Sequence, residues 1–362
     1  MGRKADIFRR IYEGVHYRLR GFADGRFANL CRPTSILFTL TMRCNARCVH
    51  CDIWKNRGKE DVLTLDEWKK VLTELRRWLG PVQVTFTGGE ALLYNDAIDV
   101  IGYGSSIGLA VEVLSHGYWD DQTRIENLAL ANPWRVTISL DGVGSAHTTV
   151  RGREKFFEKT TATLDTLRRM RRQHRLGYRI RLKTVVMAQN IRVIHTVAEY
   201  ARHEPYMDVF YQPIEQNYNT PEDPRWFERS ENWPRDIEAA AGAVNRLIAM
   251  KREGYPIANS LAQLEVMIPY FRDPDAMRVA VQSHAAHERK AICGALTSLQ
   301  LSPNGDARSC ASMPPVGNLR SQGIREIWEG RPHWWEEGCC LVQRCSPSEK
   351  QRLELPVLAQ DR

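Results

Sequence analysis

The sequence predicts an α/β chain: a partial (β/α)6 TIM-like barrel followed by a small cysteine-rich C-terminal domain. Three observations carry that expectation. Strand-like and helical runs alternate from about residue 35 to about residue 253, which implies a parallel sheet with right-handed crossovers. The polar and glycine-rich segments fall just after the strand-like runs, where (β/α) barrels place their chemistry. The nine cysteines fall into two groups separated by a long cysteine-free middle, a distribution that suits two metal sites.

Before the barrel, Ile7, Phe8, Ile11, Tyr12, Val15 and Leu19 recur at helical spacing among Arg3, Lys4, Arg9, Arg10, Arg18 and Arg20. Such a basic amphipathic helix is expected to lay its apolar stripe on the barrel, with a peripheral contact to an anionic membrane through residues 3–20 as the alternative. Cys31 reads as a small buried hydrophobe. The run from Ser35 to Thr41 is the first strand and leads into Cys44, Cys48 and Cys51. Thr64 with Glu67 forms a capping box opening a helix through Leu79, which Gly80-Pro81 ends.

Gln83 to Thr87 is the second strand, followed by Gly88-Gly89-Glu90 and a helix from about Asn95. Leu109 to Leu114 is the third, running into Ser115-His116-Gly117. Arg135 to Leu140 is the fourth, ending in Asp141-Gly142, with a long helix over Glu154 to Arg172. Arg179 to Met187 is the fifth, with a helix over Ile191 to His203, and Asp208 to Pro213 is the sixth, before a helix over Pro234 to Glu253. Leu299 to Asp306 reads as a hairpin turning at Pro303-Asn304-Gly305. The corresponding domain division is an N-terminal helical segment (1–34), the barrel core (35–214), a helical linker region (215–292), the cysteine-rich domain (293–350) and a tail (351–362).

At 362 residues, with 43% hydrophobic and 26% charged side chains, the chain has the composition of a soluble globular protein. It carries no recognisable signal sequence and no apolar run long enough to span a bilayer, so the expected location is cytoplasmic, with the inner membrane face as the peripheral alternative. That compartment keeps thiols reduced and favours metal ligation over disulfides. The net charge of +8 concentrates in stretches such as Arg168 to Arg172, read as a solvated helix face; no nucleic-acid-binding motif surrounds it, and no nucleic-acid partner is expected.

The spacing of Cys44, Cys48 and Cys51 is C-x3-C-x2-C. Thiolates select zinc, Cu(I) and iron–sulfur clusters. Three protein ligands on a four-iron cluster leave one iron open for catalysis, whereas a structural zinc is normally closed by four. A zinc knuckle completed by His50 or a distant cysteine is the competing reading of this loop. Two adjacent glycines after a strand, Gly88 and Gly89, let backbone approach a ligand closely.

With its aromatic His50 before the last cysteine, the loop resembles that of the radical S-adenosylmethionine (SAM) superfamily, over about residues 35–345 and with motifs in the family's order. The resemblance implies a [4Fe-4S] cluster on Cys44, Cys48 and Cys51 that reductively cleaves SAM to a 5′-deoxyadenosyl radical. It implies SAM contacts from His50, from Gly88, Gly89 and Glu90, and from Ser139, Asp141 and Arg151, with Asn190 and Gln212 at the ends of the fifth and sixth strands. His116 departs from the Thr-Asn-Gly frequent in relatives and is a candidate for proton transfer or substrate contact. The tail is similar to SPASM/twitch extensions and implies one auxiliary [4Fe-4S] cluster on Cys293, Cys310, Cys345 and one of Cys339 or Cys340. An external one-electron reductant of the flavodoxin or ferredoxin type follows as a partner.

A small metabolite or a lipid is the expected substrate class, because no segment sized like a leader-peptide-binding winged helix is visible. Peptide maturation is the alternative within the class. A zinc-stabilised nucleic-acid-binding protein is the alternative of another class.

Overall fold

Six runs rich in β-branched and aromatic residues pair in parallel: β1 (Ser35–Thr39), β2 (Gln83–Thr87), β3 (Ala110–Ser115), β4 (Arg135–Ser139), β5 (Arg179–Val186) and β6 (Met207–Pro213). The computed structural model describes residues 3–19, 29–56, 60–221, 223, 225–274, 296–310 and 314–331. Cys293, Cys339, Cys340 and Cys345 lie outside the described residues, as does the tail 351–362.

Side chains alternate along these strands with period two. Ile36, Phe38, Val84, Phe86, Ile138, Ile180, Leu182 and Val209 are buried in the core. Thr85, Ser139, Arg181, Lys183, Asp208 and Phe210 occupy the alternate positions and are only partly buried. The second face is therefore a polar, half-open interior.

The helices expected from the sequence appear in order on the apolar face, with further short ones between and after them. α1 (Arg3–Leu19) precedes the barrel, and α2 (Leu65–Leu79) opens with the Thr64–Glu67 capping box and ends at Gly80. α3 (Ala97–Ser106) and α4 (Thr123–Leu130) flank β3. After β4 come α5 (Ser145–Arg151) and α6 (Phe156–Gln173), and α7 (His195–Ala201) separates β5 from β6. Four helices then follow β6: α8 (Trp226–Arg229), α9 (Ile237–Arg252), α10 (Leu261–Glu265) and α11 (Met267–Arg272).

The first strand ends two residues earlier than expected: Leu40 N–H still donates to the Thr87 carbonyl at 3.0 Å, and the Thr41 carbonyl then turns to the glycine segment, accepting from Gly89 N–H at 2.8 Å. The arginine run on α6 is solvated at Arg169 and Arg172, as expected, while Arg168 and Arg171 are partly buried. Arg168 pairs with Asp165 at 2.9 Å and Arg169 with Glu126 at 2.6 Å, while Arg171 Nε donates to the Tyr178 carbonyl at 3.0 Å.

The stripe of α1 packs only in part. Tyr12 is buried and its hydroxyl donates to the Pro33 carbonyl at 2.9 Å, and Phe8 lies over Gly80. Ile7, Ile11 and Val15 remain 49%, 61% and 46% exposed. Arg9 turns over the Trp134 ring instead, 4.7 Å from its centre. Cys31 is fully buried, as expected.

The tail extends the barrel's own sheet. β7 (Ser298–Leu301) pairs in parallel with β1, and β8 (Asp306–Arg308) and β9 (Gly317–Asn318) add antiparallel, giving the order β6-β5-β4-β3-β2-β1-β7-β8-β9. α12 (Ile324–Glu329) buries Ile324, Ile327 and Trp328, and the Trp328 indole donates to the Cys31 carbonyl at 3.0 Å. Arg320 reaches Asp61 at 2.7 Å and Glu67 at 3.3 Å, joining the tail to the start of α2.

Candidate active site

The loop after β1 is gripped by backbone on both sides. On one side Glu90 N–H donates to the Arg43 carbonyl at 2.9 Å, beside the Gly89–Thr41 bond. On the other, Arg47 N–H donates to the Arg151 carbonyl at 3.2 Å and Val49 N–H to the Val150 carbonyl at 3.0 Å. The approach is too close for a side chain. A Cβ at Gly89 would stand 2.4 Å from the Arg43 oxygen, and one at Gly152 2.0 Å from the Arg47 oxygen. Gly152 also has φ +69°, the left-handed conformation that caps α5. From below, Asn232 Nδ2 donates to the Val49 carbonyl at 2.9 Å.

This grip turns Cys44, Cys48 and Cys51 into one cavity of about 190 Å³. His50, Gly88, Gly89, Glu90, His116, Ser139 and Arg151 line the same cavity, so ten of the residues singled out in the sequence meet here. Asp141, Asn190 and Gln212 do not line it. Asn190 is taken up locally: its Oδ1 accepts from Met187 N–H at 2.9 Å, and its Nδ2 donates to the carbonyls of Asp141 and Val185 at 2.9 and 2.7 Å. Asp141 acts from behind the wall, accepting from Arg151 Nε at 2.7 Å and from Val185 N–H at 2.9 Å. A larger groove of about 540 Å³ lies beside Thr41, Arg43 and Glu60 but contains none of the thiols, and the smaller cavity is where the chemistry-bearing side chains converge.

Burial dominates the electrostatics. It pushes all three thiols up, Cys44 to about 12, and for Cys48 the neighbouring Arg151 guanidinium works in the opposite direction. Arg151 Nη1 lies 3.5 Å from Cys48 Sγ. Burial also opposes the charge of Arg151, yet Asp141 and then Cys48 hold it protonated. Asp141 is driven up by burial but held below the usual carboxylate range, first by Arg151.

Glu90 is 1% exposed and burial pushes it up to about 7, against hydrogen bonds from the backbone of His116 and Leu92. His116 Nδ1 accepts from Tyr118 N–H at 2.9 Å, which leaves the proton on Nε2, 2.7 Å from Asn45 Oδ1 and 3.2 Å from Glu90 Oε2. Burial pushes His116 down to about 3. The ring is neutral at ordinary pH and ties the end of β3 to the cysteine loop.

The donor set fits an iron–sulfur cluster with an organic ligand beside it. Three soft donors come from one clamped loop, and the buried Nδ1 of His50 has no hydrogen-bond partner in the structure. Among the described residues no three His, Cys, Asp or Glu side chains close around a single metal ion. Cluster ligands bind different irons and stand further apart than ligands of one ion. Thr87 and Ser115, read in the sequence only as strand-end residues, also line the cavity, as does Lys183, which sequence reasoning missed. The inward alternation of Arg181, Lys183 and Val185 along β5 was the signal available for Lys183.

Comparison with known proteins agrees with this geometry. The model of the radical SAM superfamily matches residues 38–180. The AdoMet-dependent heme synthase of Methanosarcina barkeri is 26% identical over 308 residues, covering 82% of this chain and 82% of that protein. The antilisterial bacteriocin subtilosin biosynthesis protein AlbA of Bacillus subtilis is 27% identical over 332 residues, 86% of this chain and 65% of AlbA. Streptococcus suis SuiB, solved with its precursor peptide SuiA, shares the fold with a TM-score of 0.61 at 13% identity, covering 85% of this chain and 67% of SuiB. The chain thus spans about two thirds of AlbA and of SuiB. Residues 38–180 form a radical SAM domain, and the chain is a radical SAM enzyme.

Proposed function

We propose that this enzyme modifies a peptide. The observation that carries the proposal is the similarity to AlbA over most of the chain, supported by the fold shared with peptide-bound SuiB. It reverses the preference for a small metabolite or lipid, and the zinc-stabilised nucleic-acid-binding alternative falls with the family match.

In this reading Cys44, Cys48 and Cys51 hold the [4Fe-4S] cluster, and Cys293, Cys310, Cys345 with one of Cys339 or Cys340 hold an auxiliary one. A cluster held there would supply the electron for cleavage of SAM to methionine and a 5′-deoxyadenosyl radical. The chain's own residues clamp the cysteine loop from Gly89 and Arg151, exclude water by burying Cys48 and Glu90, and present polar groups of Glu90, Ser139 and Arg151 to the cavity. The electron comes from an external donor of the flavodoxin or ferredoxin type.

A second reading rests on the M. barkeri heme synthase, whose match covers 82% of both chains: a tetrapyrrole substrate. One experiment separates the two. The reconstituted enzyme, with SAM and a low-potential reductant under anaerobic conditions, is offered short peptides encoded beside its gene and, separately, iron porphyrins bearing carboxylates. A SAM-dependent mass change in a peptide, absent with Cys48→Ala, is the expected result; turnover of the porphyrin with inert peptides sinks the peptide reading.

A further inference from the structure

Helix α1 lies across the end of the barrel opposite the cysteine loop. Its contacts are with residues that lead into three strands. The Tyr12 hydroxyl donates to the Pro33 carbonyl before β1, the Phe8 ring covers Gly80 before β2, and the Arg9 guanidinium stacks on Trp134 before β4. These residues sit at the N-terminal ends of the strands, whereas Cys44, Cys48 and Cys51 follow the C-terminal end of β1.

The outward arc of α1 is inverted for a surface helix, which normally turns its polar residues to water. Ile7, Ile11 and Val15 stand four residues apart on one ridge, and all three are exposed, as is Phe8 beside them. Arg10 follows Ile7 by three residues and Arg18 follows Val15 by three, so both border the ridge, and both are exposed. The two carboxylates of the helix are already engaged: Asp6 and Glu13 pair with Arg9 at 3.0 and 2.9 Å, and Asp6 also reaches Arg10 at 3.2 Å. Leu30 and Arg32, both exposed, extend the patch beyond the last turn, where Arg32 N–H donates to His16 Nδ1 at 3.3 Å. Between residues 3 and 20 the chain carries six arginine and lysine side chains against those two carboxylates.

We infer that this face docks on the surface of an anionic phospholipid bilayer. The apolar ridge enters the interfacial layer, while the basic side chains at its rim lay their stems along it and carry their charges to the phosphates. Charge selects this occupant. A second copy of the chain would bring two basic rims together in a two-fold contact. The ridge from Ile7 to Val15 is about 12 Å long, short of the roughly 800 Å² per partner that a stable protein interface buries. A lipid surface needs no matching shape, and its anionic headgroups answer the basic excess. No helix among the described residues is long and apolar enough to cross a membrane, so the contact is peripheral. A barrel docked by this end turns its cysteine loop away from the bilayer, where substrate and reductant can reach it. The inference goes beyond the peptide reading and does not depend on it.

The test is vesicle flotation of the cluster-loaded full chain as wild type, Ile11→Glu, Ile11→Leu and Arg18→Glu. The vesicles are phosphatidylcholine alone and an equal mixture of phosphatidylcholine with phosphatidylglycerol. Wild type and Ile11→Leu should float with the mixed vesicles and not with phosphatidylcholine alone, and added salt should weaken the binding. Ile11→Glu and Arg18→Glu should each partition at least about fivefold more weakly. Because both side chains are exposed, melting temperature and 5′-deoxyadenosine formation should match wild type in both. Wild type that stays unbound to the mixed vesicles overturns the assignment, as does equal flotation on both vesicles or full flotation of the two Glu variants. An unbound wild type that sediments as a dimer, dissociated by Ile11→Glu, would make a second copy the occupant instead. An Ile11→Glu protein that melts lower would show the ridge to be packed rather than free, which also overturns it.

Discussion

Glu90 shows how one buried carboxyl couples the site to stability. Burial raises it to about 7 from an ordinary value near 4.5, so the folded chain binds its proton more tightly than the unfolded chain does. Its contribution to stability is greatest below pH 4.5 and declines as pH rises towards 7. Above that, the ionised group costs about 3 kcal/mol relative to acid. His50, His116 and His147 are pushed down by burial and act with the opposite sign, losing stability as pH falls below 6.5. We expect Glu90→Gln to remove only the Glu90 slope. The unfolding free energy of the variant minus that of wild type, from urea titrations, should rise by about 3 kcal/mol between pH 4 and pH 8. A difference that stays flat refutes the raised value. Glu90 was legible in sequence as a strand-end carboxylate after two glycines. Its hydrogen bonds from Leu92 and His116, which join two βα units, were not, because they depend on how β2 and β3 end side by side.

At the scale of elements, the site is a loop held between two backbone edges, and glycines set the distance. Gly88-Gly89 was readable as a close-approach segment, but what it approaches, the carbonyls of Thr41 and Arg43, is a tertiary fact. Gly89→Ala must push the Arg43 carbonyl away. We expect an overpacking cost of about 1–3 kcal/mol, and iron content after reconstitution below wild type even where the protein remains folded by circular dichroism. Full iron incorporation in folded Gly89→Ala would mean that the loop is not held from this side. The helix α2 was legible almost to the residue because its capping box and its Gly80 stop are local chemistry. The helix α4 was passed over, since its eight residues bury only Ile125, Leu128 and Ala129, too short an apolar pattern to stand out. Lys183 was passed over for a related reason: a lone lysine on a strand looks exposed until the sheet curves around it.

At the scale of the molecule, the alternation of strands and helices gave away the parallel sheet, while the attachment of the tail needed three dimensions. A parallel partner such as β7 for β1 is separated by most of the chain, and no local pattern announces such a pairing. The consequence is that β7, β8 and β9 continue the barrel's sheet on its β1 edge, with Cys310 two residues beyond β8. A tail anchored in this way by Trp328 and Arg320 keeps β7, β8 and β9 beside the strand that feeds the SAM-domain cysteine loop. If Cys310 is a ligand of the auxiliary cluster proposed above, the two metal sites are chemically independent but share one sheet. Anaerobically reconstituted wild type should then carry about eight irons and eight sulfides per chain. Cys310→Ala and the triple Cys44/Cys48/Cys51→Ala protein should each retain about four. The electron paramagnetic resonance signal that shifts on adding SAM should survive in the first and vanish in the second. About four irons in wild type, all lost from the triple variant, would leave a single cluster and remove the auxiliary site from the reading. Zinc retained by the triple variant would instead make the tail a structural metal domain.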